Sequence, residues 1–252
     1  KAVIIAFRMQ WIAFIPAYVL QTEKFYDLMG SITYLTVMWF SLYFSSNNFS
    51  NLNGANIALV FLISLWALRL GSFLFMRVHK DGEDKRFRTI KPSATQFFMT
   101  WTLQGLWVSL CSMCALTAIS SDTGVSVNAL FYIGLGLFIY GFCTEIVADK
   151  QKSKFRAIPE NRDKFITTGL WAKSRHPNYF GEIVLWLAVA LMSFSSLQGL
   201  QYITLISPIF TYILLVYVSG VRMLESRGYK KWGHLEEYKT YQKSTPMLFP
   251  KL

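Results

Sequence analysis

Apolar residues recur along this chain in long runs that short polar stretches separate. A helix needs about twenty predominantly apolar residues to cross a bilayer. Seven runs meet or approach that length, at about residues 2–21, 26–46, 54–76, 96–119, 126–147, 181–197 and 200–221. The pattern predicts an all-α, polytopic membrane protein with seven transmembrane helices, the sixth of which is the shortest.

Composition and charge support this prediction and orient it. Only 15% of the residues are charged, against roughly 25% in soluble domains. The net charge of +11 comes from stretches that seven spans would place on one side, around residues 24, 77–91, 150–175 and 222–251. The loops that would lie opposite contain no Lys or Arg, namely 45–53, 120–125 and 198–199. Since basic loops favour the cytoplasm, the N-terminus is expected outside and the C-terminus inside.

Polar side chains are concentrated just before the sixth apolar run, within the stretch from Gly169 to Glu182. Side chains there that make directed hydrogen bonds are Arg175, His176, Asn178, Tyr179 and Glu182. A helix that begins near Pro177 would point unpaired N–H groups and the positive end of its dipole at a nearby anion. The stretch therefore predicts one wall of a binding site for an anionic ligand.

Two cations follow the fifth apolar run at a helical spacing. Lys152 and Arg156 are four residues apart, so they share a face if the fifth helix continues outward. Arg offers a bidentate fork and Lys a point charge, which together suit a phosphate group. Asn178 can both donate and accept, which suits a carboxamide or a base edge.

Three other features have a structural interpretation. Cys111 and Cys114 form a CxxC without a second pair, which favours packing over metal binding, and no metal site is expected. The glycines of the fifth run, Gly134, Gly136 and Gly141, favour close helix packing. Aromatic and charged residues mixed from Gly228 to Tyr241 fit an interfacial amphipathic helix or a lid over the polar site.

Here the chain resembles a known superfamily. The stretch Gly169-Leu170-Trp171 through Ser174-Arg175-His176-Pro177-Asn178-Tyr179-Phe180-Gly181-Glu182 is similar to the C-terminal signature of the steroid 5-alpha-reductases, with most likeness to their bacterial branch. Sterol C14 and C24 reductases and isoprenylcysteine carboxyl methyltransferases have related patterns. The similarity extends from about Glu145 to Pro250, and its further positions are Asp149, Lys152, Arg156, Arg222, Glu225, Trp232-Gly233, Tyr238, Tyr241 and Pro246.

The resemblance implies a single transmembrane domain, 1–252, with a substrate-side half, 1–120, and a half that binds NADPH, 121–252. It implies that Lys152 and Arg156 bind the 2′-phosphate. Asn178, Tyr179 and Glu182 would lie near the ribose and nicotinamide, and Arg222 and Tyr241 near the diphosphate. The remaining positions of the implied cofactor site are Asp149, Trp171, Arg175, His176, Glu225 and Tyr238.

The family chemistry implies hydride delivery to a carbon–carbon double bond and a proton from a protein acid. Steroid 5-alpha-reductases carry adjacent Gln and Glu at the start of the second span, whereas Thr22 separates Gln21 from Glu23 here. We therefore nominate Glu23, Tyr26 or Asp27 as the proton donor. On an unbroken helix, Glu23 and Asp27 would share a face.

The sequence is compatible with three functions. The first is an NADPH-dependent reductase of a lipophilic enone that enters from the bilayer. The second is a membrane methyltransferase that uses S-adenosylmethionine, which has no phosphate for Lys152 and Arg156 to neutralise. The third is a non-catalytic lipid-binding protein. We expect membrane lipids and a lipophilic small molecule as partners, no nucleic acid, and a bacterial inner membrane rather than the endoplasmic reticulum.

Overall fold

The computed structural model describes residues 1–251. Within these residues the fold is all-α with no β-strand, as predicted. Seven helical segments are long and apolar enough to cross a membrane. The first six are α1 (Ala2–Val19), α2 (Tyr26–Ser45), α3 (Gly54–Asp81), α4 (Ala94–Ile119), α5 (Ala129–Ala157) and α6 (Pro177–Phe194). The prediction of a multi-pass membrane protein with seven spans is confirmed.

Where polar residues extend a helix, its first or last residue differs from that of the apolar run. α5 continues to Ala157, well past the predicted end at residue 147, so Lys152 and Arg156 do lie on one helical face. α6 begins at Pro177 rather than at residue 181, because proline is favourable in the first turn, where its missing N–H is not needed. A helix end that reaches water can carry polar side chains, so hydropathy alone makes these two helices too short.

The seventh apolar segment, Gly199–Trp232, is not one regular helix. It begins with a 3₁₀ segment, Gly199–Leu205, continues as α7, Ile206–Ile213, and widens into a π-helical turn, Leu214–Val218. After a break at Gly220 it resumes as α8, Val221–Trp232, and α9, Glu236–Ser244, follows. The apolar part thus ends at this break, close to the predicted end at residue 221, and α8 continues with a polar sequence.

The chain divides into two compact units, and each is described by itself. Unit 1 comprises Lys1–Asn128 and Met192–Ser207. In it α2 packs on α3, and α1 packs on α4. Aromatic rings form a buried cluster at one end, with Phe97 and Trp101 fully enclosed. Apolar side chains on the outer face of α1 are exposed, including Ile12, Ile15 and Val19, as expected for a lipid-facing surface.

Unit 2 comprises Ala129–Leu191 and the chain from Pro208 onward. Its helices α5 and α6 cross in close contact at two glycines. A Cβ on Gly141 would lie 2.5 Å from the Gly181 carbonyl oxygen, and one on Gly181 would lie 2.6 Å from the Gly141 carbonyl oxygen. The predicted packing role is confirmed for Gly141, whereas a Cβ on Gly136 would meet no atom within 4 Å.

This contact gives a matched pair of substitutions. We expect Gly141→Ala to destabilise the protein by about 1–3 kcal/mol, because the added methyl group overpacks the helix crossing. Gly136→Ala should be neutral or slightly stabilising, because alanine favours a helix where space is open. The midpoint of thermal unfolding in detergent measures both, and equal midpoints for the two variants would contradict the crossing.

Candidate functional site

The polar site is built around the first turn of α6. The His176 carbonyl accepts a hydrogen bond from the Phe180 N–H at 3.1 Å, so the helix begins where the sequence predicts. The Ser174 hydroxyl, fully buried, donates to the Leu248 carbonyl at 2.7 Å. The Arg175 N–H donates to the Pro246 carbonyl at 2.9 Å. The C-terminal tail therefore fixes the main chain at the mouth of α6.

A carboxylate on α8 binds the two groups that the sequence assigns to an anionic ligand. Glu225 Oε1 lies 2.7 Å from His176 Nε2, and Glu225 Oε2 lies 3.2 Å from Arg175 Nη2. Arg175 Nη1 also donates to the Gln242 carbonyl at 2.9 Å. Arg175 and His176 thus join α6, α8 and α9. In this arrangement an internal carboxylate, rather than a ligand phosphate, pairs with the Arg175 guanidinium and accepts from the His176 ring.

His176 is only 5% exposed, and its burial lowers the pKa of the imidazole even though Glu225 acts in the opposite direction. The ring is therefore neutral near pH 7. Because a carboxylate can only accept, the ring proton lies on Nε2, and Nδ1 is left as an acceptor. Nδ1 is buried and has no hydrogen-bond partner among residues 1–251.

Asn178 presents a second buried acceptor. Its Nδ2 donates to Asp149 Oδ1 at 3.3 Å, and since the carboxylate cannot donate, this bond fixes the orientation of the amide. Oδ1 is buried without a partner in the described part of the chain. Uncompensated buried polar atoms cost about 1–3 kcal/mol each. Asn178 and His176 therefore favour a ligand that brings N–H or O–H donors.

Lys152 stands against an aromatic ring. Its Nζ lies 4.4 Å from the centre of the Trp171 ring, a cation–π distance. Trp171 is 3% exposed, and its Nε1 donates to the Ala148 carbonyl at 3.1 Å. The Tyr241 hydroxyl donates to the Trp171 carbonyl at 2.6 Å. The ring is thus held rigidly, and it positions the Lys152 ammonium on the α5 face that also carries Arg156.

The remaining residues of α6 and the tail surround this cluster. Glu182 is buried in the first turns of α6. The Tyr179 ring lies 6.0 Å from the His176 ring, and a Cβ on Gly220 would come within 3.1 Å of Tyr179 Cζ. The break in the seventh segment therefore lies directly against Tyr179.

The two nominated tyrosines of the tail have packing roles. Tyr238 is buried with its ring 4.9 Å from that of Phe165. Burial raises the pKa of both Tyr238 and Tyr241, so both phenols keep their protons near neutral pH. α9 consequently packs on the loop that carries Trp171, which agrees with a segment that covers the site.

Arg222 does not join this cluster. α8 buries Val221 and Gly228 and half-buries Glu225, whereas Arg222 is exposed. At 100° per residue, Arg222 and Glu225 are three positions and about 60° apart around α8, and Arg222 lies toward the exposed face of the helix. Arg222 lines an open groove on that face with Arg227 and Lys230.

The three nominated proton donors lie in unit 1. Glu23 is 3% exposed, forms an ion pair with Lys91 and accepts from the Asp84 N–H at 2.9 Å. The Tyr26 hydroxyl donates to the Thr100 carbonyl at 3.0 Å. α2 begins at Tyr26, so Asp27 lies in its first turn and Glu23 lies in the preceding loop. The condition under which Glu23 and Asp27 would share one helical face, an unbroken helix, is not met, because α2 starts between them.

Sequence reasoning missed two positioning residues. Gln151 accepts from the Leu170 N–H at 2.9 Å and lies over Gly169. Gly169 has φ +63°, and this left-handed turn, with no Cβ to displace Gln151, signals the contact. Gln242 donates to Glu225 at 3.4 Å, a contact that no local pattern indicates.

Fold and site together define a multi-pass helical membrane protein with a polar cluster where its sixth helix begins. The chain belongs to the family described as "Protein of unknown function (DUF1295)", whose profile matches residues 13–245. The resemblance to the steroid 5-alpha-reductase superfamily is confirmed at superfamily level. No solved structure matches the chain.

Three curated relatives show how far the similarity extends. An uncharacterised protein of Schizosaccharomyces pombe, C594.04c, is 28% identical over 79% of this chain and 66% of its own length. Probable O-methyltransferase ustE of Ustilaginoidea virens is 32% identical over 40% of this chain and 41% of its own length. 3-Oxo-5-alpha-steroid 4-dehydrogenase 1 of Rattus norvegicus is 30% identical over 48% of this chain and 41% of its own length. The chain thus spans two fifths to two thirds of these relatives.

The neutral, buried state of His176 predicts a dependence of stability on pH. Unfolding returns the imidazole to its ordinary pKa of about 6.5, above the folded value. As the pH falls toward and below about 6.5, the unfolded state therefore binds more protons than the folded state does, and the free energy of unfolding decreases. We expect the unfolding midpoint to fall between neutral and mildly acidic pH, and to fall less in His176→Gln.

His234→Gln is the matched control, because His234 is exposed. The control should keep the pH dependence of the unmodified protein. If His176→Gln and His234→Gln give the same midpoint-against-pH curve, His176 is not the group responsible.

Proposed function

We propose that this protein is an NADPH-dependent membrane reductase that reduces a carbon–carbon double bond of a lipophilic steroid-like or isoprenoid enone. The observation that carries the proposal is a polar stripe on α5. Glu145 and Asp149, both buried, are followed at helical spacing by Lys152 and by the exposed Arg156. Acceptors thus lie at the buried end of the stripe and cations at its open end.

The stripe fits the two ends of a phosphorylated dinucleotide. Asp149 and Arg156 are seven residues apart on one face, which is about 10 Å along a helix. At the open end Lys152 and Arg156 provide the charge and the bidentate fork that a 2′-phosphate favours. At the buried end Asn178 Oδ1 and His176 Nδ1 are unpaired acceptors that suit the hydroxyl and carboxamide donors of the ribose and nicotinamide.

The cofactor would supply the hydride, and the chain would orient it and deliver the proton. The hydride would add to one carbon of the double bond, and a protein acid would protonate the other reacting atom. Of the nominated donors, Glu23 is engaged with Lys91 and the Tyr26 hydroxyl with the Thr100 carbonyl. We therefore propose Asp27, in the first turn of α2, as the proton donor.

The proposal includes a division of labour and an orientation. Residues 121–252 would bind the cofactor, and residues 1–120 would accept the substrate from the bilayer. The basic loops would face the cytoplasm, where NADPH is available, and we propose a bacterial inner membrane. A rat relative named as a steroid dehydrogenase supports the reductase class.

A second candidate function is a membrane methyltransferase that uses S-adenosylmethionine. The similarity to probable O-methyltransferase ustE supports it. The two functions differ at the open end of the stripe, because S-adenosylmethionine has no phosphate for Lys152 and Arg156.

Ligand titration separates the two functions. The purified full chain is titrated calorimetrically with NADPH, NADH and S-adenosylmethionine. We expect NADPH to bind most tightly. Arg156→Gln should weaken NADPH about 10- to 100-fold, which corresponds to the loss of about 1.5–3 kcal/mol from a charged hydrogen bond, and should leave NADH nearly unchanged.

Lys154→Gln is the matched control, because Lys154 is exposed on α5 and points away from the stripe. It should bind NADPH like the unmodified protein. Equal weakening of NADPH and NADH by Arg156→Gln removes the 2′-phosphate assignment. Tight binding of S-adenosylmethionine without NADPH refutes the reductase and supports the methyltransferase.

A further inference from the structure

A groove on the exposed face of α8 has no part in the cluster around Glu225. Its volume is about 490 Å³. Residues from α8 and from the π-helical turn before it line the groove: Tyr217, Val218, Arg222, Met223, Ser226, Arg227 and Lys230. The lining includes three cations and no carboxylate, so its charge selects for an anion.

The groove and the candidate cofactor site have different lining residues. Arg222, Ser226 and Lys230 are spaced four residues apart, so they form one ridge along α8. The buried residues Val221 and Gly228 lie on the opposite side of the helix from Lys230, whereas Glu225 lies between them and the ridge, about 60° from Arg222. Neither His176 nor Asn178 lines the groove.

The other end of the groove is apolar and open. Tyr217 is 56% exposed and Val218 is 63% exposed, and both belong to the apolar part of the seventh segment. In a membrane these side chains would face acyl chains, whereas the cations on α8, which follow the break at Gly220, would lie at the level of the headgroups. A single ligand that matches both ends carries a phosphate next to a hydrocarbon chain.

We propose that this groove is a specific binding site for an anionic phospholipid. Arg222, Arg227 and Lys230 would hold the headgroup phosphate, and Ser226 would donate a hydrogen bond to it. Tyr217, Val218 and Met223 would contact the first part of an acyl chain. The site goes beyond the proposed reductase function and does not rest on it, and lipid bound there would hold α8 at the membrane surface.

The proposal is tested by counting lipids on the intact protein. The full chain in detergent is mixed with dioleoyl phosphatidylglycerol, with dioleoyl phosphatidylcholine, or with glycerol phosphate, and native mass spectrometry measures the bound molecules. We expect one phosphatidylglycerol to bind preferentially over phosphatidylcholine. Glycerol phosphate in equal amount should not displace it, because it lacks the acyl chain.

Two double variants locate the site. Arg227→Gln with Lys230→Gln removes two groove cations. We expect this double variant to bind phosphatidylglycerol about tenfold more weakly, or weaker still, since each basic group near a surface favours anionic lipid. Lys164→Gln with Lys243→Gln removes the same charge from exposed positions elsewhere and should keep the preference. NADPH affinity is measured on the same variants, so that a failure of the lipid site can be distinguished from a failure of the reductase proposal.

Three results would overturn the site. Equal losses in the two double variants would mean diffuse attraction to a basic surface. Displacement by glycerol phosphate would mean a phosphate site without a lipid. Equal binding of phosphatidylglycerol and phosphatidylcholine would mean that the cations do not distinguish an anionic headgroup from a zwitterionic one.

Discussion

The contact between Glu225 and the pair Arg175 and His176 is the constraint on which the rest of the site depends. One carboxylate, 22% exposed, binds an imidazole at 2.7 Å and a guanidinium at 3.2 Å. It ties α8 to the mouth of α6, and Gln242 adds α9 to the same network. Breaking such a network leaves charged groups unpaired, which costs more than the network itself contributes.

This contact also changes the chemistry expected at the mouth of α6. Arg175 is paired with Glu225, and the neutral His176 ring donates to the same carboxylate, so the proposed phosphate contacts are those of Lys152 and Arg156 on α5. The start of α6 instead carries two buried hydrogen-bond acceptors without a partner in the described part of the chain, His176 Nδ1 and Asn178 Oδ1. A ligand that matches the whole cluster therefore carries donors at its buried end and negative charge at its open end.

Much of the fold could be predicted from the sequence, because hydropathy and proline act locally. The seven spans, the start of α6 near Pro177 and the shared face of Lys152 and Arg156 all follow from spacing of a few residues. The irregular seventh segment could not be predicted, because apolar composition does not distinguish a regular helix from an interrupted one.

The contacts within the site could not be predicted from the sequence for a different reason. Glu225 lies 49 residues from His176, and the tail at Pro246 and Leu248 pairs through main-chain atoms that have no sequence signature. Such pairings arise from tertiary packing. Side chains that appear available to a ligand in the sequence can therefore be committed within the fold, as Arg175 is.

The most direct test of the central claim, that the α5 stripe binds the phosphate end of NADPH, is chemical labelling of lysines in the intact protein. An amine-reactive reagent modifies Lys152 and Lys154 in the same molecule, and mass spectrometry of peptides measures each. We expect NADPH to protect Lys152 strongly and to leave the labelling of Lys154 unchanged. Equal labelling of Lys152 with and without NADPH, at a concentration where NADPH binds, would contradict it.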